Sequence, residues 1–192
     1  ELPAQIRDYQ LLSVLGQGGM GTVYLALHSR LQRSVALKVL LAHRLRDPDA
    51  IRRFEREMQL VGSLHNRHMV SAIDAGQHQG THYLAMELIH GVDLRSALRK
   101  IGPLSVADAC EVARQAAEGL SYVHEQGMVH RDIKPANMFA CRQGVEFDVL
   151  KVLDFGMVRD STAEDMNLTG GGIVGTPAFI LALIHIPEPT RL

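Results

Sequence analysis

Five short patterns place charged and small residues where they could do phosphate chemistry. They are Gly16-x-Gly18-x-x-Gly21-x-Val23, Val35-Ala36-Leu37-Lys38, Glu57, the octet His130-Arg131-Asp132-Ile133-Lys134-Pro135-Ala136-Asn137, and Asp154-Phe155-Gly156. Any one of them could arise by chance. In this order they supply a glycine cover for phosphates, a cation with an anionic partner, a candidate base and two candidate metal ligands. Those are the parts needed to move a phosphoryl group from a nucleoside triphosphate to a hydroxyl.

Each pattern also has a plainer explanation. A Gly-x-Gly-x-x-Gly run opens dinucleotide-binding folds, but there it must lead into a helix whose N-terminus receives the pyrophosphate. Here Gly21 runs into Thr22-Val23-Tyr24-Leu25-Ala26, β-branched and aromatic, with no cap and no helical period. A glycine hairpin between two strands is predicted instead, its glycines letting the backbone close over phosphates without side-chain clash. Lys38 ends an apolar strand, where a lone lysine commonly snorkels to water. Its functional reading needs an anion, and Glu57 stands beside the apolar stripe of the next helix. Glu55 is the other candidate, but it lies about 200° around the helix from Glu57 at about 100° per residue, and so faces away. Asp154-Phe155-Gly156 alone is an ordinary turn after a strand. The octet is the most specific signal of the five.

The elements that must position these residues follow from periodicity. Strands are predicted over 9–12, 22–26 and 34–40, then over about 70–75 and 83–87. A helix starts at Asp47-Pro48, a capping residue followed by a proline suited to the first turn, with Ile51, Phe54, Met58, Val61 and Leu64 as its apolar stripe. Past a link around Gly91 the pattern turns helical. Ser105 caps a long helix with Ala109, Val112, Ala113, Ala116, Leu120 and Val123 as the expected inward face, and Gly127 stops it. Two short strands, about 138–141 and 149–153, flank a polar turn at Gly144. The expected fold class is α+β in two lobes. Residues 1–88 form a small lobe of antiparallel sheet plus one helix, 89–180 a mainly helical, incomplete large lobe, and 181–192 an atypical tail. A cleft between lobes is the default place for a nucleotide.

With motifs and elements together, the chain resembles a eukaryotic-type serine/threonine protein kinase domain of the kind bacteria carry, over about residues 9 to 180. The resemblance implies an enzyme that uses ATP and Mg²⁺ to phosphorylate Ser/Thr hydroxyls of proteins. It implies that Lys38 contacts the α- and β-phosphates and is positioned by Glu57. Asp132 would orient the substrate hydroxyl and accept its proton, and Lys134 would neutralise the γ-phosphate in transit. Asn137 and Asp154 would hold the metal, while His130 would be a packed structural residue. Gly16, Gly18 and Gly21 would cover the triphosphate, and Leu15, Val23, Ala36 and Phe139 would sandwich the adenine. Met86 would stand at the back of the pocket, backbone groups of Glu87 and Ile89 would bond the base, and Asp93 could meet the ribose. Lys134 is the serine/threonine rather than the tyrosine pattern, and Gly175-Thr176-Pro177 matches the substrate-facing loop. Arg53, Arg131 and Arg159 match positions that gather on a phosphorylated loop, with Thr169 or Thr162 as the acceptor and autophosphorylation as a consequence.

After Ile180 the match ends, and Leu181 to Leu192 carries no Ala-Pro-Glu at the expected place. The expectation is a chain cut short within the large lobe and of marginal stability, with a nucleotide-binding or scaffolding fragment of impaired turnover as the alternative. The bulk numbers narrow the remaining classes. In 192 residues the apolar fraction is 46% and the formal charge −1, which suits a globular domain and gives no electrostatic case for nucleic acid. No leader opens the chain and the longest apolar run is too short to cross a bilayer, so a cytoplasmic domain is expected, with any anchor outside this segment. Cys110 reads as a small buried hydrophobe. His65, His68, His78 and His82 read as surface residues in polar links, with no transition-metal site.

Overall fold

The structure, a computed structural model, describes residues 4–18, 21–40 and 47–153, with the backbone of 159–160. Asp154-Phe155-Gly156, the loop threonines, the Gly-Thr-Pro run and the tail lie outside the described residues. Strands β1 (Gln5–Ile6), β2 (Tyr9–Gln17), β3 (Gly21–His28), β4 (Arg33–Leu40), β5 (Ala72–His78) and β6 (Thr81–Glu87) form one antiparallel sheet. Their order is β1-β2-β3-β4-β6-β5. The glycine run is indeed the turn of a hairpin, with Gly16 opposite Val23 and Gln17 opposite Thr22. Pairing that far makes β2 longer than the expected 9–12.

Helix α1 (Pro48–Ser63) starts as its residues require. Asp47 is extended, and its carboxylate accepts from the Asp49 and Ala50 amides, while Pro48 fills the first turn where no amide is needed. Its buried face is Ala50, Phe54, Glu57 and Val61, so a glutamate sits within the apolar stripe. Beyond the sheet, β7 (Gly91–Asp93) leads into α2 (Leu94–Ile101), then α3 (Val106–Glu125), β8 (Met128–Val129), β9 (Met138–Gln143), β10 (Glu146–Val152) and β11 (Arg159–Asp160). Small antiparallel sheets are ordered β10-β9-β7 and β11-β8. Gly91, expected in a link, is the first residue of β7, and a Cβ there would come within 2.3 Å of the Ala140 carbonyl oxygen. Only glycine lets these two strands approach so closely.

One apolar cluster runs through both lobes. Phe54, Val61 and Leu64 of the α1 segment and Leu84 and Met86 of β6 pack with Met69, Val70, Val123, Met128 and Val152. The backbone reinforces it: Val152 donates to the His68 carbonyl at 2.8 Å, and Val70 donates to the Val152 carbonyl at 3.2 Å. A second cluster, with Tyr9, Leu37 and Tyr83, lies under the N-terminal segment.

Three sequence expectations need correction. α3 is capped by Ser105 as expected, but Ala109 and Ala113 are exposed, and the buried face is Gln115, Ala116, Gly119 and Val123. The helix turns this way because Gly119 admits the 68–69 segment: a Cβ there would meet the Met69 side chain at 2.6 Å. Gln115 completes the fit, its amide donating to the Asp148 carbonyl at 3.1 Å and its oxygen accepting from Leu150 N at 2.8 Å. Cys110 shares the outward face and is exposed, whereas Cys141 is buried. His68 and His82 are buried, not surface residues. His68 Nδ1 lies 2.9 Å from the Leu150 carbonyl oxygen and Nε2 3.2 Å from Glu118, so polar partners on both sides of the ring replace its lost hydration. His82 packs edge-on against Phe54, 3.6 Å from Glu55.

Candidate active site

A cavity of about 760 Å³ opens between the two lobes. From the small lobe, Leu15, Val23, Ala36 and Met86 give it apolar surface, and Ala136, Phe139 and Leu153 do so from the large lobe. Sheet register explains the first group. Ala36 lies opposite Met86, and Lys38 opposite both Val23 and Leu84, so alternate positions of three strands face one side.

The polar wall of the cavity includes Lys38, Glu57, Asp132 and Asn137. Lys38 Nζ is 2.5 Å from Glu57 Oε1, and the two side chains are 12% and 3% exposed. Glu57 is thus the partner expected from helical phase, and Glu55 stands apart beside His82. The three glycines do two different jobs. A Cβ on Gly16 would meet nothing within 4 Å, and one on Gly18 only the Gly21 carbonyl oxygen at 3.9 Å, so these positions leave the cavity edge open. A Cβ on Gly21 would lie 2.5 Å from the Val39 carbonyl oxygen, so that glycine is demanded by packing on β4.

Across the cavity, the octet folds back on itself. Arg131 adopts a positive φ of 63°, a conformation that turns the chain sharply at some cost. Asp132 follows, with only 8% exposure. Its Oδ2 accepts from Lys134 Nζ at 2.6 Å and from Asn137 Nδ2 at 3.1 Å, and Asn137 Nδ2 also donates to the Asp132 carbonyl at 2.9 Å. A single turn of 3₁₀ helix, Pro135–Asn137, makes this return possible. His130 is buried with 1% exposure. Its Nε2 lies 3.1 Å from the Leu153 carbonyl oxygen, which can only accept, so that nitrogen carries the proton. Its Nδ1 is then left to accept from the Asp132 amide at 3.4 Å. Leu153 N in turn donates to the Asn137 carbonyl at 2.8 Å. Both backbone polar groups of Leu153 are therefore held by the octet, and Asp154 is the next residue in the chain.

The segment after β6 provides the remaining edge. Glu87, Leu88 and Ile89 line the cavity. The Glu87 amide donates to the Ser71 carbonyl at 3.0 Å. Asp93 is not among the lining residues. Its Oδ1 accepts from Ser96 N at 2.9 Å and so caps α2. Burial works to raise the Asp93 carboxyl, but the hydrogen bonds from Ser96 and the local backbone outweigh it and hold the group below its ordinary range. Arg53 is half exposed, 3.8 Å from Asp47, and the loop it was expected to serve lies outside the described residues. Sequence reasoning passed over Val70, Leu88, Ala136 and Leu153, whose only signal was their closeness to motif residues. It also passed over Lys151, a charge within the apolar run 149–153 that is 4% exposed.

The chain belongs to the protein kinase domain family, whose model matches residues 9–180. Among curated relatives it is similar to serine/threonine-protein kinase PknB of Mycolicibacterium smegmatis, 36% identical over 98% of this chain and 30% of that protein. It is also similar to serine/threonine-protein kinase PknJ of Mycobacterium bovis, 39% identical over 89% of this chain and 29% of that protein. Among solved structures, the M. tuberculosis PknI kinase domain superposes with a TM-score of 0.68 at 30% identity, covering 81% of this chain and 62% of that one. The chain thus spans about 30% of the length of those two curated relatives. The two-lobed α+β fold expected from the sequence is the fold of these neighbours.

Proposed function

We propose that this chain transfers the γ-phosphoryl group of ATP to serine or threonine hydroxyls of proteins. One observation carries the reading. Lys38 and Glu57 from one lobe and Asp132 and Asn137 from the other line a single cavity with apolar walls, and Lys134, outside that lining, bonds to Asp132. The apolar walls suit a purine, and the polar end suits its phosphates. Lys38, aimed by a buried carboxylate, binds the phosphates as a point charge. The Asp132 carboxylate is held in place by two donors on Oδ2, so it can orient an acceptor hydroxyl and take its proton, and Lys134, bonded to it, can meet developing phosphate charge. Such chemistry depends on positioning more than on an unusually strong base.

The residues present fit a magnesium ion. The Asn137 amide nitrogen is turned to Asp132, bonding its carbonyl and Oδ2, which presents the amide oxygen, a hard donor of the kind Mg²⁺ prefers. Asn137 and Asp154 would hold the ion, which when bound neutralises phosphate charge. The names of the relatives as serine/threonine-protein kinases support protein acceptors, and autophosphorylation is part of the same proposal. Among the described residues no helix is long and apolar enough to cross a membrane. The test compares this chain with Asp132→Asn, using labelled ATP and a serine/threonine-containing acceptor. Incorporation should fall by about a thousandfold or more, while ATP binding changes by less than about threefold. Equal incorporation by both would overturn the proposal.

A further inference from the structure

Lys151 is a buried ammonium that phosphoryl transfer leaves without a task. It interrupts the apolar, buried end of β10, and its Nζ donates to Glu87 Oε1 at 2.8 Å and to the Met69 carbonyl at 3.2 Å. The same Glu87 oxygen accepts from the Ser71 amide at 2.9 Å, while the Glu87 amide donates to the Ser71 carbonyl at 3.0 Å. Three stretches of chain meet at this point: the end of β6, residues 69–71 leading into β5, and β10. A buried ammonium is unfavourable unless paired and hydrogen-bonded. Lys151 therefore favours the arrangement in which the Glu87 carboxylate points toward β10. With side chain and amide both tied, the backbone of Glu87 is left little freedom where it lines the cavity.

We propose that Lys151 is a positioning residue for the nucleobase, acting through Glu87 to hold the backbone at the base-facing edge of the cleft. The inference rests on the reading of that cleft as an ATP site, and it deepens it. Lys151 does not line the cavity and reaches it through Glu87, so its effect falls on the base half of the ligand. Lys38, by contrast, belongs to the phosphate half. A role confined to general stability would weaken recognition of both halves together.

The experiment uses the full chain and two probes, adenosine for the base half and Mg²⁺-tripolyphosphate for the other, with dissociation constants measured by calorimetry. Lys151→Met keeps the length of the side chain and removes its charge. Adenosine binding should weaken by roughly tenfold, the weight of one well-placed buried pair, while tripolyphosphate binding stays within about twofold. Glu87→Gln should weaken adenosine in the same direction, and the double variant should be no worse than the more affected single one. Unchanged adenosine binding, or equal weakening of both probes, would overturn the inference and leave the ATP site standing. Should Lys151→Met fail to fold, Glu87→Gln decides alone on the same two probes. If the wild-type chain bound neither probe, the reading of the cleft would fall first, and the inference with it.

Discussion

Removing Lys38 puts a number on the buried pair. In Lys38→Met the Glu57 carboxylate, 3% exposed, loses a cation 2.5 Å away. Breaking a fully buried pair in this way costs about 3–5 kcal/mol. Lys38 is 12% exposed and lines a cavity open to water, which can hydrate part of the stranded charge. The cost therefore falls below that range, to about 2–3 kcal/mol, or a fall in melting temperature of roughly 5–10 °C for a chain of this size. Lys38→Met/Glu57→Met replaces both charges with apolar groups and should recover most of the loss, while phosphate transfer stays abolished in both variants. Thermal melts followed by circular dichroism measure all three proteins. A Lys38→Met chain that melts with the wild type, or a double variant less stable than the single one, would refute the argument.

The glycine hairpin and the alkaline limb give two further tests. Gly21→Ala should cost about 1–3 kcal/mol, because its Cβ meets the Val39 carbonyl at 2.5 Å, whereas Gly16→Ala, with open space around it, should cost under about 0.5 kcal/mol. Thermal melts that rank the two in the other order would contradict the division of labour among these glycines. Burial first, and then the nearby Asp74 charge, pushes the Tyr9 phenol well above its ordinary value, and burial raises Tyr83 as well against the pull of Arg7. A folded value above the unfolded one of about 10 means full stability below that pH and a decline as pH rises past it. Melts between pH 8 and pH 11 should show the decline, and Tyr9→Phe should flatten it.

What the sequence disclosed and what it hid divide along physical lines. The Asp47-Pro48 start of α1, the Ser105 cap of α3 and the hairpin at Gly16 to Gly21 are local chemistry, and local chemistry is written in neighbouring residues. The Lys38–Glu57 pairing was also legible, because helical phase alone turns Glu57 and not Glu55 toward the strand. The inward face of α3 was not legible. It depends on Gly119 admitting residues 68–69 and on Gln115 bonding β10, two polar or small residues that an apolar pattern passes over. His68 and His82 were misread for the same reason, since their burial is satisfied by groups far along the chain. Asp93 was read toward a ribose, while its first carboxylate oxygen also caps the helix that begins beside it. Lys151 did leave a trace, a charge inside an apolar strand like that of Lys38, but its partner Glu87 lies 64 positions away.

The most direct measurement follows ADP and phosphorylated serine or threonine together, in one reaction of this chain with Mg²⁺-ATP and a protein acceptor. The account predicts that the two products rise one for one and that both vanish in Asp132→Asn. ADP appearing without phosphoprotein, or phosphoprotein forming undiminished in Asp132→Asn, would contradict it.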